Sequence, residues 1–119
     1  MNLFNKLAHA CRGIWMTAKR DFSFKLELIG GLILVFLTWL AWPVSQLEAF
    51  IVLTTYGLVI VSELSNTALE SALDRLHPEK HESIRLSKDA AAGAVFVAFC
   101  LNVAVVLLIF LSRLGVWSG

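Results

Sequence analysis

One stretch concentrates the residues able to do chemistry: Ser62-Glu63-Leu64-Ser65-Asn66-Thr67-Ala68-Leu69-Glu70-Ser71-Ala72-Leu73-Asp74-Arg75. At about 100° per residue, a helix gathers Glu63, Asn66, Glu70 and Asp74 within about 80° of one another around its axis. Thr67 flanks the same stripe. A row of acid, amide, acid and acid cannot face lipid without a large cost, so it faces protein, water, or a cation with its ligand. One carboxylate in such a row can take a hydroxyl proton, and another can hold a divalent ion on a phosphate. A structural polar seam capped by Arg75 would use the same residues, but the rarity of acids inside membranes favours function.

Depth sharpens this reading. The helix that carries the stripe is expected to begin at Ala49, which puts Glu63 about 21 Å along it and Glu70 about 10 Å further. In a hydrocarbon core of roughly 30 Å, Glu63 then sits in the inner leaflet and Glu70 near the headgroups. One acid reaches a lipid hydroxyl while the other reaches a hydrated phosphate. That is the arrangement a lipid phosphotransferase needs.

A second cluster, Glu79-Lys80-His81-Glu82, precedes Lys88-Asp89. Lys88 is suited to phosphate oxygens as a point charge, and Asp89 is expected to cap a helix. An ordinary charged loop with a helix cap is the plainer alternative, and His81 by itself reads as an exposed loop histidine. Asp21 and Glu27 lie beside Arg20 and Lys25, where simple interfacial solvation accounts for them.

The elements that must position these groups are helices in a bilayer. Of 119 residues 58% are apolar and 16% charged, more apolar surface than so short a soluble domain can bury. Net charge is +1, which points to neither nucleic acid nor a strongly acidic partner. From Leu3 to Ala18, Leu3, Phe4, Leu7, Ala8, Cys11, Ile14, Trp15 and Ala18 fall on one helical face. This predicts an amphipathic helix over about 3–20 lying along the membrane surface. Its basic residues are interleaved with apolar ones, unlike those of a signal peptide.

Three spans are predicted, at about 26–42, 49–76 with a cytoplasmic extension, and 90–111. Pro43 ends the first, and His77-Pro78 stops the second. Five bases precede the first span and four lie between the second and third. The turn from Pro43 to Glu48 has none, and the tail has only Arg113. The N-terminus is therefore expected inside and the C-terminus outside. Trp15, Trp39, Trp42 and Trp117 read as interfacial aromatics. Ala90, Ala94 and Ala98 suit close helix packing, with Asn102 continuing their face. Cys11 and Cys100 share no metal or redox spacing. Three spans are too few to enclose a polar site, so oligomerisation is expected. Soluble-kinase phosphate loops, zinc motifs and nucleophile elbows are missing from the sequence.

At Glu63-x-x-Asn66-x-x-x-Glu70, Asp74-Arg75, Glu79-x-His81-Glu82 and Lys88-Asp89, the chain resembles the small prokaryotic diacylglycerol kinase family, whose Gram-positive branch phosphorylates undecaprenol. The match covers nearly the whole chain. The resemblance implies an all-α homotrimer in the bacterial cytoplasmic membrane, with active sites shared between neighbouring subunits. It implies transfer of the γ-phosphate of Mg·ATP to the primary hydroxyl of diacylglycerol, giving phosphatidic acid, with undecaprenol as the alternative.

It also implies roles. Glu63 is the base on the lipid hydroxyl, supported by Asn66, and Asp21 and Glu70 hold Mg²⁺. His9, Asp21, Glu70, Glu79, Lys80, His81, Lys88 and Asp89 meet ATP. Ser23, Phe24, Lys25, Leu26 and Glu27 meet the lipid together with Glu63. Asp21 stands where the family usually has Glu, His9 where it often has an aromatic, and Lys25 where Arg is commoner. An oligomeric ion or proton pathway is the rival reading. A pore wants polar residues through its full depth, whereas Ala49 to Val61 offers only Thr54, Thr55 and Tyr56.

Overall fold

The computed structural model describes residues 1–116, and its elements are four helices: α1 (Leu3–Arg20), α2 (Phe22–Leu40), α3 (Gln46–Leu76) and α4 (Glu82–Arg113). The last three are long and apolar enough to cross a membrane. Trp117 lies outside the described residues. Each helix start is written in a side chain. Asn2 caps α1 by accepting from the amide of Asn5. Ser45 and Glu48 form a reciprocal capping box at α3, and the ring of His81 caps α4 by accepting from the amide of Ser83.

The junction of α1 and α2 is a single residue. Asp21 has extended backbone (φ −101°, ψ 114°), ends α1 with its own amide on Thr17, and caps α2 with its carboxylate. The change of direction between the two helices is thus made without a loop.

The helices outrun the predicted spans. α2 begins at Phe22 because Asp21 caps it there, and it closes at Leu40, two residues before the predicted end at 42. α3 begins at Gln46, three residues before 49, because the Ser45 box supplies its first partners. α4 begins at Glu82, eight residues before 90. Hydropathy marks where a helix is apolar, not where its hydrogen bonding starts. Asp89 therefore lies two turns inside α4 and caps nothing, which corrects the expected cap. His81, which by itself reads as a loop histidine and which the resemblance assigns to ATP, supplies that cap.

α3 and α4 share the most extensive contact in the chain. Wholly or partly covered positions on α4 fall at 84, 88, 91, 95, 98, 102, 105 and 109, a spacing of three and four that makes one continuous seam, with 106 and 111 partly covered beside it. Two polar ties fix its register. Asn102 Nδ2 donates to Thr55 Oγ1 at 2.9 Å, with both residues buried, and Arg113 pairs with Glu48 at 3.0 Å near the far end.

Thr55 Oγ1 also donates within its own helix, with the carbonyls of Ile51 and Val52 at 2.9 and 3.1 Å. The buried tie is therefore asymmetric. Asn102→Leu removes one bond and leaves Thr55 satisfied, so a loss of about 0.5–1 kcal/mol is expected. Thr55→Val strands a buried amide and should cost about 1–3 kcal/mol. Reversible unfolding of both variants in mixed micelles checks the order, and equal losses would mean that the amide finds another partner.

Candidate active site

Glu63 is 3% exposed, on the face of α3 that also carries Val59, one turn earlier and 1% exposed. Spacing decides this. Tyr56, Val59, Glu63 and Thr67 stand at intervals of three and four, so they share one side of the helix. The opposing side of α2 carries Phe24, Glu27 and Gly31 at the same intervals, and Phe24 is 0% exposed. Asp21, Glu27 and Glu70 all lie close enough for their charges to act on Glu63. Carboxyl groups from the α1–α2 junction, α2 and α3 thus lie within electrostatic reach of Glu63. Like charges so gathered each raise the cost of ionising the next, and a cation relieves all of them.

Asp21 accepts the most hydrogen bonds of the four acids. One oxygen accepts from the amides of Ser23 (2.9 Å) and Phe24 (3.4 Å), and the other accepts from the hydroxyl of Thr67 on α3. Thr67, one turn beyond Glu63, thereby ties the start of α2 to the acid stripe. Its part was missed in the sequence, where it only flanked the stripe. The signal available was its four-residue distance from Glu63.

Asn66 donates to Glu70 Oε1 across 3.4 Å, a long bond, and its own Oδ1 is buried with no hydrogen-bond partner among the described residues. An uncommitted amide oxygen beside a carboxylate is the donor type that Mg²⁺ takes. Among the described residues no group of three or more His, Cys, Asp or Glu side chains is drawn together closely enough to hold a metal. Asp21, Glu70 and the Asn66 oxygen are by type the donors for an ion that would bring phosphate oxygens as its remaining ligands.

Lys88 on α4 pairs with Asp74, at the end of the acid stripe, and the charge of Glu70 also reaches it. Asp89 beside it is exposed. Glu79, Lys80 and His81 lie elsewhere, around a recess of about 320 Å³ shared with His77, Ser83 and Ile84. A second, more open groove of about 480 Å³ runs between α1 and α3 beside Thr67, with Arg20 as the charged residue on its wall. His9 is exposed on α1 and lines neither. The structure thus gathers Asp21, Glu27, Glu63, Asn66 and Glu70, places Lys88 at their edge, and leaves His9 and the 79–81 loop apart. In the stretch expected to meet lipid, Ser23, Lys25 and Leu26 are exposed and Glu27 is half-buried. Phe24 departs from the expectation: it is a packing residue turned into the protein.

The sequence model of the family described as prokaryotic diacylglycerol kinase matches residues 8–110. Among similar proteins are an undecaprenol kinase of Bacillus subtilis, 34% identical over 93% of this chain and 89% of its own length, and a diacylglycerol kinase of Haemophilus influenzae, 29% identical over 84% of each. The diacylglycerol kinase of Escherichia coli K12 is 27% identical over 87% of this chain and 82% of its own length.

The two functions of Asp21 separate by mutation. Asp21→Ala removes both cap and tie, and should cost the start of α2 about 1 kcal/mol. It should also speed amide exchange at Ser23 and Phe24. Thr67→Val removes only the tie, so those two amides should keep their protection. Exchange followed residue by residue checks this; equal exposure in both variants would show that the cap depends on Thr67.

Proposed function

The chain belongs to the prokaryotic diacylglycerol kinase family and is a lipid kinase, and from that premise we propose that it moves the γ-phosphate of ATP onto the primary hydroxyl of a membrane lipid, with Glu63 as the base. The observation that carries this reading is the burial of Glu63 at the meeting point of three other acids, in a helix apolar enough to span a membrane. A merely solvated or surface acid would not be placed there.

In this mechanism the lipid hydroxyl approaches Glu63, whose carboxylate accepts its proton as the oxygen attacks the γ-phosphorus. The bond to the bridging oxygen breaks and ADP leaves. Lys88, exposed on its free side and paired only with the solvated Asp74, exchanges that partner for phosphate oxygens. Glu79, Lys80, His81 and Asp89 are the further nucleotide contacts. Asp21 and Glu70 would hold Mg²⁺, with Asn66 offering its unpartnered oxygen. A bound Mg²⁺ would neutralise charge on the phosphates and orient them. Asp21 keeps its orientation through Thr67 and the two amides whether or not the ion is present.

Diacylglycerol and undecaprenol both present a primary hydroxyl to the inner leaflet, and the relatives carry both names. The shared acid stripe suits either. We place the N-terminus and the 77–81 loop on the cytoplasmic side, because nine of the ten bases lie there. α1 then rests on the membrane surface, where Lys19 lies over the Trp15 ring at 5.6 Å. A homotrimer accounts for the openness of the site in one chain, where Glu70, Asp74 and Asp89 are exposed and lack a facing wall.

Purified protein in mixed micelles, given radiolabelled ATP and Mg²⁺, should label diacylglycerol or undecaprenol. Glu63→Gln should lower the rate by at least about 100-fold, the lower range for a positioned base, while Mg·ATP binding stays within a few-fold. Removing Mg²⁺ with a chelator should stop labelling of either lipid. A Glu63→Gln enzyme with near-normal turnover would remove Glu63 from the chemistry.

A further inference from the structure

Tyr56 is the most constrained side chain that the chemistry above does not use. Its hydroxyl donates to the backbone carbonyl of Glu27 on α2 at 2.8 Å, although carbonyls of its own helix are nearer in sequence. A phenol within an apolar span must find an acceptor, and this one finds it across the α2–α3 seam. The ring lies directly over Gly31. A Cβ built at Gly31 would stand 2.3 Å from the Tyr56 hydroxyl oxygen and 2.6 Å from Cζ, so no side chain fits there while the ring stays. Gly30, next to it, has nothing within 4 Å of such an atom. The close approach belongs to one glycine only.

Position gives this contact a consequence. Tyr56 precedes Glu63 by two turns on the same face of α3, and Gly31 follows Glu27 by one turn on α2. Thr67 and Asp21 make the other fixed point of the same seam. The two points bracket Glu63 on α3 and the Phe24–Glu27 stretch on α2, with the fully buried Phe24 and Val59 between them. The charge of Glu27 acts on both Tyr56 and Glu63. A slide of α2 by one turn would bring Glu27 or Leu34, the next covered positions on that face, beneath the ring, and each carries a side chain that Gly31 lacks.

We infer that Tyr56, seated on Gly31, is a positioning residue that fixes the depth of the lipid-facing start of α2 against Glu63, and so governs engagement of the lipid rather than of ATP, whose proposed α2-end ligand, Asp21, is held separately to α3 by Thr67. This rests on the lipid-kinase reading of the site. The chain of effect is mechanical. Ser23, Lys25 and Leu26 are exposed on the same rigid helix whose height Tyr56 sets, whereas Lys88 and the 79–81 loop belong to α4 and its approach.

The test uses the full chain in mixed micelles, titrating lipid at saturating Mg·ATP and then Mg·ATP at saturating lipid. Tyr56→Phe keeps the ring and loses one hydrogen bond, so about a 5-fold rise in lipid KM is expected, with ATP KM unchanged. Gly31→Ala forces the ring away and should lower lipid kcat/KM by about 10-fold or more. Adding Tyr56→Leu to Gly31→Ala removes the colliding atoms. That double variant should return to within about 3-fold of Tyr56→Leu alone, since contacting residues are not additive. A rise in ATP KM equal to that for lipid, unchanged kinetics in Gly31→Ala, or simple additivity would overturn the inference while the kinase reading stands. Wild-type protein that labels neither lipid would overturn both.

Discussion

A carboxyl group held almost out of contact with solvent, on a helix whose neighbouring faces are apolar, is the costliest placement in this chain. Glu63 is tolerable only where protein surrounds it and where its proton or charge has somewhere to go. The packing around it meets the first requirement with Phe24 and Val59, both essentially inaccessible. The second is left open. Among the described residues the charges that act on Glu63 are those of Asp21, Glu27 and Glu70, and no base is among them. A site so negative is unfinished without a cation or a proton. That incompleteness is what a phosphoryl-transfer centre requires, because its cationic half arrives with the nucleotide.

Holding such a centre together falls to two helices of unequal tie strength. α3 and α4 have a long continuous seam with a buried amide–hydroxyl bond and an ion pair, and they form the rigid part. α2 touches α3 over less surface and is fixed at points: the Asp21 carboxylate on Thr67, and the Tyr56 hydroxyl on the Glu27 carbonyl. Point fixing suits the element that meets a lipid, since its outer face stays exposed while its depth is set. Asp21 bears the most in this scheme. It ends one helix, starts the next and reaches a third, all through one carboxylate and one amide.

Much of this was legible in the sequence, for a definite reason. Acids at 63, 70 and 74 and the amide at 66 report their common face through helical spacing alone, and three apolar runs report three helices. The family followed from the same residues. What could not be read were relations between helices. Periodicity says that Tyr56 shares a face with Glu63, but not that Gly31 lies opposite. Nor does it say that Thr67 meets Asp21, or that Asn102 meets Thr55. The helix starts were missed because they lie in polar sequence, where capping by Asp21, Ser45 and His81 decides and hydropathy is silent. Phe24 was misplaced for a related reason. A stretch can face lipid as a whole while the residue in its middle turns inward.

Chemistry and substrate choice therefore occupy different surfaces of the molecule. In the proposed mechanism the acids and Lys88 act on groups common to every substrate, a hydroxyl and a triphosphate, so they would not tell one lipid alcohol from another. Discrimination has to come from the apolar tail, which meets helix faces and not the carboxylates. Those faces are the exposed side of α2, with Leu26, Ile29, Ile33 and Phe36, and whatever second helix stands across from it. A one-methylene difference on such a surface is worth only about 1–3 kcal/mol. On the proposed mechanism, substrate preference would then rest on many small apolar contacts and on the depth at which α2 is held. That is why relatives bearing an undecaprenol name and a diacylglycerol name can both match the same chain along most of its length.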